Sequence, residues 1–253
     1  MPNLNDLRDY LTKKAISFRQ ISEMQVVFEL KFFSDDGKAH KIELEVHQKV
    51  DELQVKATNG RYPSLCPNRH INLDGWFCLG LKEELNELTI KEWIQYVKEF
   101  LNAQNQCEIN GVWPRDIKEW AHGAGAIYQK KVEKFYIEFK QNSLGISLDD
   151  LTVTEKINKY GKKFYHLFFN KKHILVGYEN QVLNKRQPCL CRDNGIKKHR
   201  TIGKCPKKCA EIIFSVAVND FLLKKAEKEF WESWNASEYN NCCGTMKNCE
   251  LMK

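Results

Sequence analysis

A cysteine follows closely on a His-x-Asn pair, between a Tyr-Pro turn and an amphipathic helix. The residues are His70, Asn72, Asp74 and Cys78. A thiolate is a good nucleophile for acyl transfer, and an asparagine amide can donate a hydrogen bond to the oxyanion that develops. The segment therefore predicts that Cys78 carries an acyl group as a thioester, with Asn72 beside the oxyanion.

Other interpretations of these residues stay open. A strand cysteine often packs as a small hydrophobe, so Cys78 could be structural. The protein could also be inactive, with a fold that is kept only for binding. Asn72 lies six residues before the cysteine and Asn68 lies ten before it, so either amide could serve Cys78.

A second group of cysteines lies nearer the C-terminus. Cys189 and Cys191 form one close pair, and Cys205 and Cys209 form another after a basic loop. Two such pairs fit a tetrahedral four-thiolate zinc site, in which the filled coordination shell makes the metal structural. The alternatives are that these cysteines are unconnected or that other residues donate ligands. Those other residues are His199, Cys242, Cys243 and Cys249.

The positive charge is concentrated in one part of the chain. Between residues 158 and 209 there are fourteen Lys and Arg but only two acidic residues, a surplus of +12 against +7 for the whole chain. This asymmetry indicates two functional regions. Nucleic-acid phosphates could bind the basic region. We favour a solvated face or a docking surface for an acidic partner.

Composition indicates a soluble globular protein. Of 253 residues, 42% are hydrophobic and 29% are charged. The first residues show no secretory signal, and no stretch approaches the roughly 20 apolar residues of a membrane span. We therefore expect a cytoplasmic protein with no membrane partner, whose ten cysteines are reduced, catalytic or metal-bound rather than disulfide-paired.

Hydrophobic periodicity predicts an α+β protein. Helical spacing opens the chain at 4–15, and alternating residues over 26–57 predict an antiparallel meander. Thr89 and Glu92 form a capping-box pair before an amphipathic helix, and Pro114 suits the first turn of another helix.

The pattern breaks near residue 142, which predicts domains at 1–142 and 143–253. The second domain has two strand patterns, at 164–169 and 173–178. A helix at about 210–234 follows them. We predict that this part is a small, basic, cysteine-rich α+β module stabilised by zinc.

Residues from about 3 to 139 resemble the ubiquitin-conjugating enzyme family. Tyr-Pro at 62–63, His-Ile-Asn at 70–72, Asp-Gly-Trp-Phe-Cys-Leu at 74–79 and Leu-Thr-Ile at 88–90 resemble that family's motifs. The resemblance implies its fold: an N-terminal helix, an antiparallel meander and C-terminal helices. It also implies a thioester on Cys78, an ordering role for His70 and a weak amine-polarising role for Asp74.

The chain departs from the family pattern in the same segment. Ile71 replaces the family's proline, and Asn72 precedes the cysteine by six residues where the family usually has eight. The loop has therefore been resized. No Gly-x-Gly-x-x-Gly or Walker A pattern occurs, so an activating enzyme would be a separate protein.

The cysteine-rich part resembles two further groups. Gln-Pro-Cys-Leu-Cys at 187–191 resembles the SEC-C zinc-binding motif. The extended tail resembles that of bacterial antiviral conjugating-enzyme relatives in CBASS defence systems. That resemblance implies a modifier that is the C-terminus of a partner nucleotidyltransferase. We hypothesise a ubiquitin-conjugating-like transferase. The alternative is an inactive scaffold with a zinc-stabilised nucleic-acid-binding module.

Overall fold

The computed structural model of the protein describes residues 1–114, 118–141, 147–179, 181–188, 201–204, 208–237, 242–247 and 249–252. The chain divides into two compact units. The first contains Met1–Trp120 together with Trp231–Lys253, and the second contains Ala121–Phe230.

The first unit is a four-stranded antiparallel sheet with helices packed on it. Its elements are α1 (Leu4–Lys13), β1 (Phe18–Ser22), β2 (Gln25–Phe33), β3 (Ala39–Lys49), β4 (Glu52–Ala57), α2 (Lys82–Leu85) and α3 (Ile90–Asn110). The strands follow chain order across the sheet. The predicted opening helix and antiparallel meander are confirmed, with β1 as an additional edge strand.

Helix α3 forms the main layer over this sheet. Its N-terminus has the predicted capping box, in which the Thr89 hydroxyl accepts a bond from the Glu92 N–H and the Glu92 carboxylate accepts one from the Thr89 N–H. Trp93, Val97 and Leu101 recur at helical spacing and are almost completely buried. This apolar face packs on β2 and fixes one side of α3 against the core.

The second unit also combines a meander with helices. Its elements are α4 (Gly125–Gln141), β5 (Leu151–Ile157), β6 (Lys163–Phe169), β7 (Lys172–Tyr178), β8 (Gln181–Val182) and α5 (Cys209–Asn235), the last of which is counted with this unit up to Phe230. The α+β prediction is thus confirmed. Within the described ranges, no helix combines the length and the apolar character needed to cross a bilayer.

Helix α4 lies differently from the helix predicted to start at Pro114. Residues 118–120 have no regular secondary structure, and α4 begins at Gly125. Its Phe139 is buried in the second core, which also contains Leu167 and Phe214. Because α4 packs into that core, the division into units falls after Trp120 rather than near residue 142.

Candidate active site

Cys78 lies on an irregular segment that is fixed to β4 by the backbone. The Phe77 N–H donates to the Val55 carbonyl at 2.9 Å, and the Cys78 N–H donates to the His70 carbonyl at 2.7 Å. Phe77 and Leu79 on either side are buried, whereas Cys78 is partly exposed. The alternation of an extended chain thus anchors the neighbours in the core and turns the Cys78 side chain away from them.

The Cys78 side chain lines a cavity of about 310 Å³. Most of the wall is aromatic or apolar, and three polar side chains complete it. The other lining residues are His70, Leu79, Tyr96, Glu99, Phe100, Asn102, Trp113, Lys118 and Trp120. A partly exposed cysteine that lines such a cavity differs from a cysteine enclosed in the core, and cavities of this kind are where ligands bind.

His70 positions the cysteine segment through its backbone and its ring. It adopts a left-handed conformation, with φ 51° and ψ 41°, and is 5% exposed. Its ring packs edge-on against Trp113, with 4.6 Å between the ring centroids. Since its carbonyl accepts the bond from the Cys78 N–H, the His70 backbone is tied directly to the cysteine segment.

Asn72 and Asp74 lie on an exposed turn after His70. The Asn72 N–H donates to the Trp76 carbonyl at 2.7 Å. Asp74 has φ 60° and lines a separate cavity of about 270 Å³, together with Tyr62 and Lys56. The structure therefore brings His70 and Cys78 into one cavity, but Asn72 and Asp74 are not among the residues that line it.

Asn68 and Asn102 are two further amides on this side of the unit. Asn68 is partly buried, and its Oδ1 has no hydrogen-bond partner among the described residues. Asn102 lines the Cys78 cavity, and its amide nitrogen donates to Asp35 at 2.5 Å. Sequence reasoning did not find Asn102, because only the packed helix brings it to the cavity.

Helix α3 supplies several cavity residues that sequence analysis did not identify. Tyr96, Glu99 and Phe100 lie next to the buried stripe of the helix. The signal available in the sequence was their spacing of three and four residues, which places them on one helical face. Trp120 completes the wall, and its ring is 3.5 Å from the Lys118 ammonium.

The local electrostatics keep Cys78 mostly protonated at neutral pH. Burial raises the pKa of the Cys78 thiol above its ordinary value. A hydrogen bond from the Gly80 N–H to the sulfur lowers this pKa, and the charge of Glu52 raises it again, so the net direction is upward. The Gly80 N–H would stabilise Cys78 as a thiolate, including when the sulfur leaves a thioester.

We expect the alkylation rate of Cys78 by iodoacetamide to rise without a plateau from pH 6 to beyond pH 9. The thiolate reacts, and its fraction grows about tenfold per pH unit below the raised pKa. Peptide mass spectrometry at several pH values measures this rate, with glutathione as the reference thiol. A plateau at or below pH 8 would contradict the raised pKa.

Gly80 makes a close approach that a larger residue would disturb. It has φ +137°, and a Cβ at this position would lie 2.8 Å from Trp120 Nε1. We expect Gly80→Ala to cost about 2–4 kcal/mol through backbone strain and steric overlap, and to slow Cys78 alkylation about tenfold. Urea unfolding and the alkylation rate measure the two effects.

Gly75→Ala is the matched control for Gly80→Ala. Gly75 has φ +79°, but a Cβ there meets nothing within 4 Å. It therefore carries the backbone strain without the contact to Trp120. Equal stability and equal Cys78 reactivity in the two variants would show that the approach of Gly80 to Trp120 has no effect.

Most of the predicted zinc ligands lie outside the described residues. These are Cys189, Cys191 and Cys205, together with the alternative ligand His199. Cys209 is described: it is the first residue of α5 and is fully buried. Across the described ranges, no three or more His, Cys, Asp or Glu side chains are grouped so that they could hold a metal ion.

Comparison with known protein families identifies both parts of the chain. Residues 14–115 match the family described as a prokaryotic E2 domain, and residues 121–251 match the cysteine-rich domain found C-terminal to that E2 domain. Comparisons with curated proteins and with solved structures found no match. The first unit thus has the E2-like, ubiquitin-conjugating type of fold that the sequence predicted. The chain belongs to the family of prokaryotic E2-like proteins that carry this cysteine-rich domain after the E2 domain.

Proposed function

We propose that the protein is an acyl carrier that holds a protein C-terminus as a thioester on Cys78 and transfers it to an amine. Its E2-like domain supports a ubiquitin-conjugating-like transferase at the level of the family. The observation that carries the finer proposal is the position of Cys78. Cys78 is a partly exposed residue that lines an aromatic cavity, on a backbone that is hydrogen-bonded to His70.

The reaction has two balanced steps. The Cys78 thiol gives up its proton to solvent, and its sulfur attacks the carbonyl carbon of a thioester on an activating enzyme. A new S–C bond forms, the old S–C bond breaks, and the donor cysteine leaves as a thiolate that solvent can protonate. A target amine then attacks the same carbon, Cys78 leaves as a thiolate, and the amine loses a proton. The Gly80 N–H stabilises the sulfur as it leaves, and the His70 carbonyl holds the cysteine segment.

Asn72 remains our candidate for the oxyanion donor, and Asp74 for a group that polarises the amine. Both lie on the exposed turn before Cys78, where an incoming protein could contact them. Asn68 is the competing amide, ten residues before Cys78 in the chain. The test compares the rate constants of Asn72→Ala and Asn68→Ala in single-turnover transfer. The asparagine whose replacement lowers the rate constant more is the oxyanion donor.

We propose further that the modifier is the C-terminus of a CBASS nucleotidyltransferase and that the transfer serves antiviral defence. Support comes from the resemblance of the cysteine-rich tail to bacterial antiviral relatives. The absence of Gly-x-Gly-x-x-Gly and Walker A patterns supports activation by another protein. We also propose that the cysteine-rich domain holds a structural zinc ion through Cys189, Cys191, Cys205 and Cys209, with which its cysteine content is compatible.

The basic surface of the second unit supports a second candidate function, nucleic-acid binding by an inactive scaffold. A cavity of about 570 Å³ has three tyrosines, three lysines and one glutamate among its lining residues, which are Tyr128, Lys131, Lys162, Lys163, Tyr165, Tyr178 and Glu179. Lysines contact phosphates and aromatic rings stack on bases. We favour the transferase because Lys163 is already paired with Glu155, and Lys131 and Lys162 lie near the rings of Tyr128 and Tyr178.

A discharge assay separates the two functions. The protein would be purified without reductant from cells that also express the neighbouring genes, and then mixed with hydroxylamine at neutral pH. A thioester-linked adduct should be released within minutes, whereas an amide would persist. If no adduct is found, and Lys131→Glu with Lys162→Glu abolishes salt-sensitive nucleic-acid binding, the scaffold function replaces the transferase.

A further inference from the structure

Two cysteines that are far apart in the chain meet in the first unit, away from the residues that line the Cys78 cavity. Cys66 lies in the loop after β4, and Cys242, Cys243 and Cys249 lie in the C-terminal segment. All four belong to, or pack against, the same hydrophobic core. The Cys66 and Cys243 sulfurs are 2.8 Å apart, although 177 residues separate them in the chain.

The surroundings of this pair make the two sulfurs unequal. Cys66 is 2% exposed, whereas Cys243 is partly exposed. The Thr245 hydroxyl lies 3.0 Å from the Cys243 sulfur and also accepts a bond from the Arg69 guanidinium at 3.3 Å. A reagent from solvent therefore reaches Cys243 before Cys66, because Cys66 is buried.

The contacts around Cys243 favour its reaction through a thiolate. The Thr245 hydroxyl lies against the Cys243 sulfur, and the Arg69 guanidinium donates to that hydroxyl, so both groups stabilise a negative charge near the sulfur.

We propose that Cys243 is a second reactive thiol of this protein and that it forms a reversible disulfide with Cys66 by exchange with a small disulfide. The Cys243 sulfur attacks a sulfur of glutathione disulfide, and one glutathione thiolate leaves. Cys66 then loses its proton and attacks Cys243, and the second glutathione leaves. Two protein thiols are oxidised and one glutathione disulfide is reduced to two thiols.

The geometry requires little movement for this bond. A disulfide joins sulfurs at about 2.05 Å, so the 2.8 Å pair has to close by less than about 1 Å. The Cys66 N–H and carbonyl are both bonded to Ile71, which follows His70 in the chain. The disulfide would thus tie the C-terminal segment to the loop whose His70 carbonyl holds Cys78. The proposal does not depend on the thioester function.

Peptide mapping of the full-length protein tests the pair directly. After glutathione disulfide treatment and trypsin digestion without reductant, we expect peptide 62–69 linked to peptide 229–247. Cys78 lies on peptide 70–82 and is therefore distinguished from Cys66. The link should persist in Cys242→Ala, which leaves Cys243 as the only thiol of peptide 229–247. In Cys66→Ala, Cys243 should instead retain one glutathione.

Three results would overturn the proposal. One is that peptide 229–247 stays unmodified in the wild-type protein, which is a decisive result even where a variant fails to fold. Another is a linkage through Cys242 or Cys249 in place of Cys66 and Cys243. The third is a stoichiometric zinc ion, measured by elemental analysis, that is lost in Cys243→Ala, since the four cysteines would then be metal ligands.

Discussion

Replacing Cys78 by alanine should abolish transfer of the modifier, lowering the yield of conjugates by at least about 10³-fold. The thiol is the atom that bonds to the acyl group, so no covalent intermediate forms without it. The fold should persist, because Cys78 is partly exposed and Phe77 and Leu79 supply the core contacts on either side. The measurement is the amount of conjugate formed when the variant is co-expressed with the neighbouring genes.

Cys243→Ala is the matched control for this variant. It also removes a partly exposed cysteine of the first unit, but one that does not line the Cys78 cavity. Under reducing conditions we expect it to form conjugates at the wild-type level. If Cys78→Ala keeps conjugation while its unfolding curve matches the wild type, the thioester mechanism is wrong.

Arg69→Ala should lower the free energy of unfolding by about 2–4 kcal/mol. The Arg69 side chain is 2% exposed, and its Nε donates to Gln104 Oε1 at 2.8 Å, while the Gln104 amide donates back to the Arg69 carbonyl. Removing the guanidinium leaves the buried Gln104 oxygen without this donor. Because Arg69 precedes His70, we also expect less thioester on Cys78. Urea unfolding followed by tryptophan fluorescence measures the stability.

Arg61→Ala is a close control, since both arginines lie beside Glu108 and Tyr62. Arg61 donates to Glu108 at 2.8 Å, and its side chain is 26% exposed. In Arg61→Ala, water can therefore hydrogen-bond to the Glu108 carboxylate. We expect a loss of no more than about 1 kcal/mol. If Arg61→Ala and Arg69→Ala lower the free energy of unfolding equally, the burial of Arg69 adds nothing to the stability of the protein.

Features that depend on local chemistry could be predicted from the sequence. The Thr89 and Glu92 capping box lies within four residues of chain, and the alternation of β2 and β3 records directly which side chains are buried. The capping box and the strands require no knowledge of distant contacts, and the structure contains them. The motif around Cys78 is also contiguous, and its chemical role stays a prediction.

Features that depend on packing could not be predicted in the same way. Strand β1 is mostly exposed, so no alternation of apolar residues marks it. The helix predicted to start at Pro114 begins at Gly125, where the chain enters the second core. The two units divide after Trp120, because apolar residues of α4 pack into the core of the second unit.

Some residues of the candidate site could be predicted from the sequence, and others are brought there only by packing. Cys78 and His70 are close in the chain, and the structure places both at one cavity. Tyr96, Trp113 and Trp120 reach that cavity only through the packing of α3 and the segment after it. The pair of Cys66 and Cys243 joins residues far apart in the chain, and no spacing rule connects them.

The most direct test of the central claim compares the intact masses of the wild-type protein and Cys78→Ser after co-expression with the neighbouring genes. The thioester account predicts an adduct on the wild type that a thiol reductant removes. It predicts an adduct of the same mass on Cys78→Ser that resists the reductant, because an oxygen ester replaces the thioester. Absence of both adducts, or a wild-type adduct that maps to a peptide other than 70–82, would contradict it.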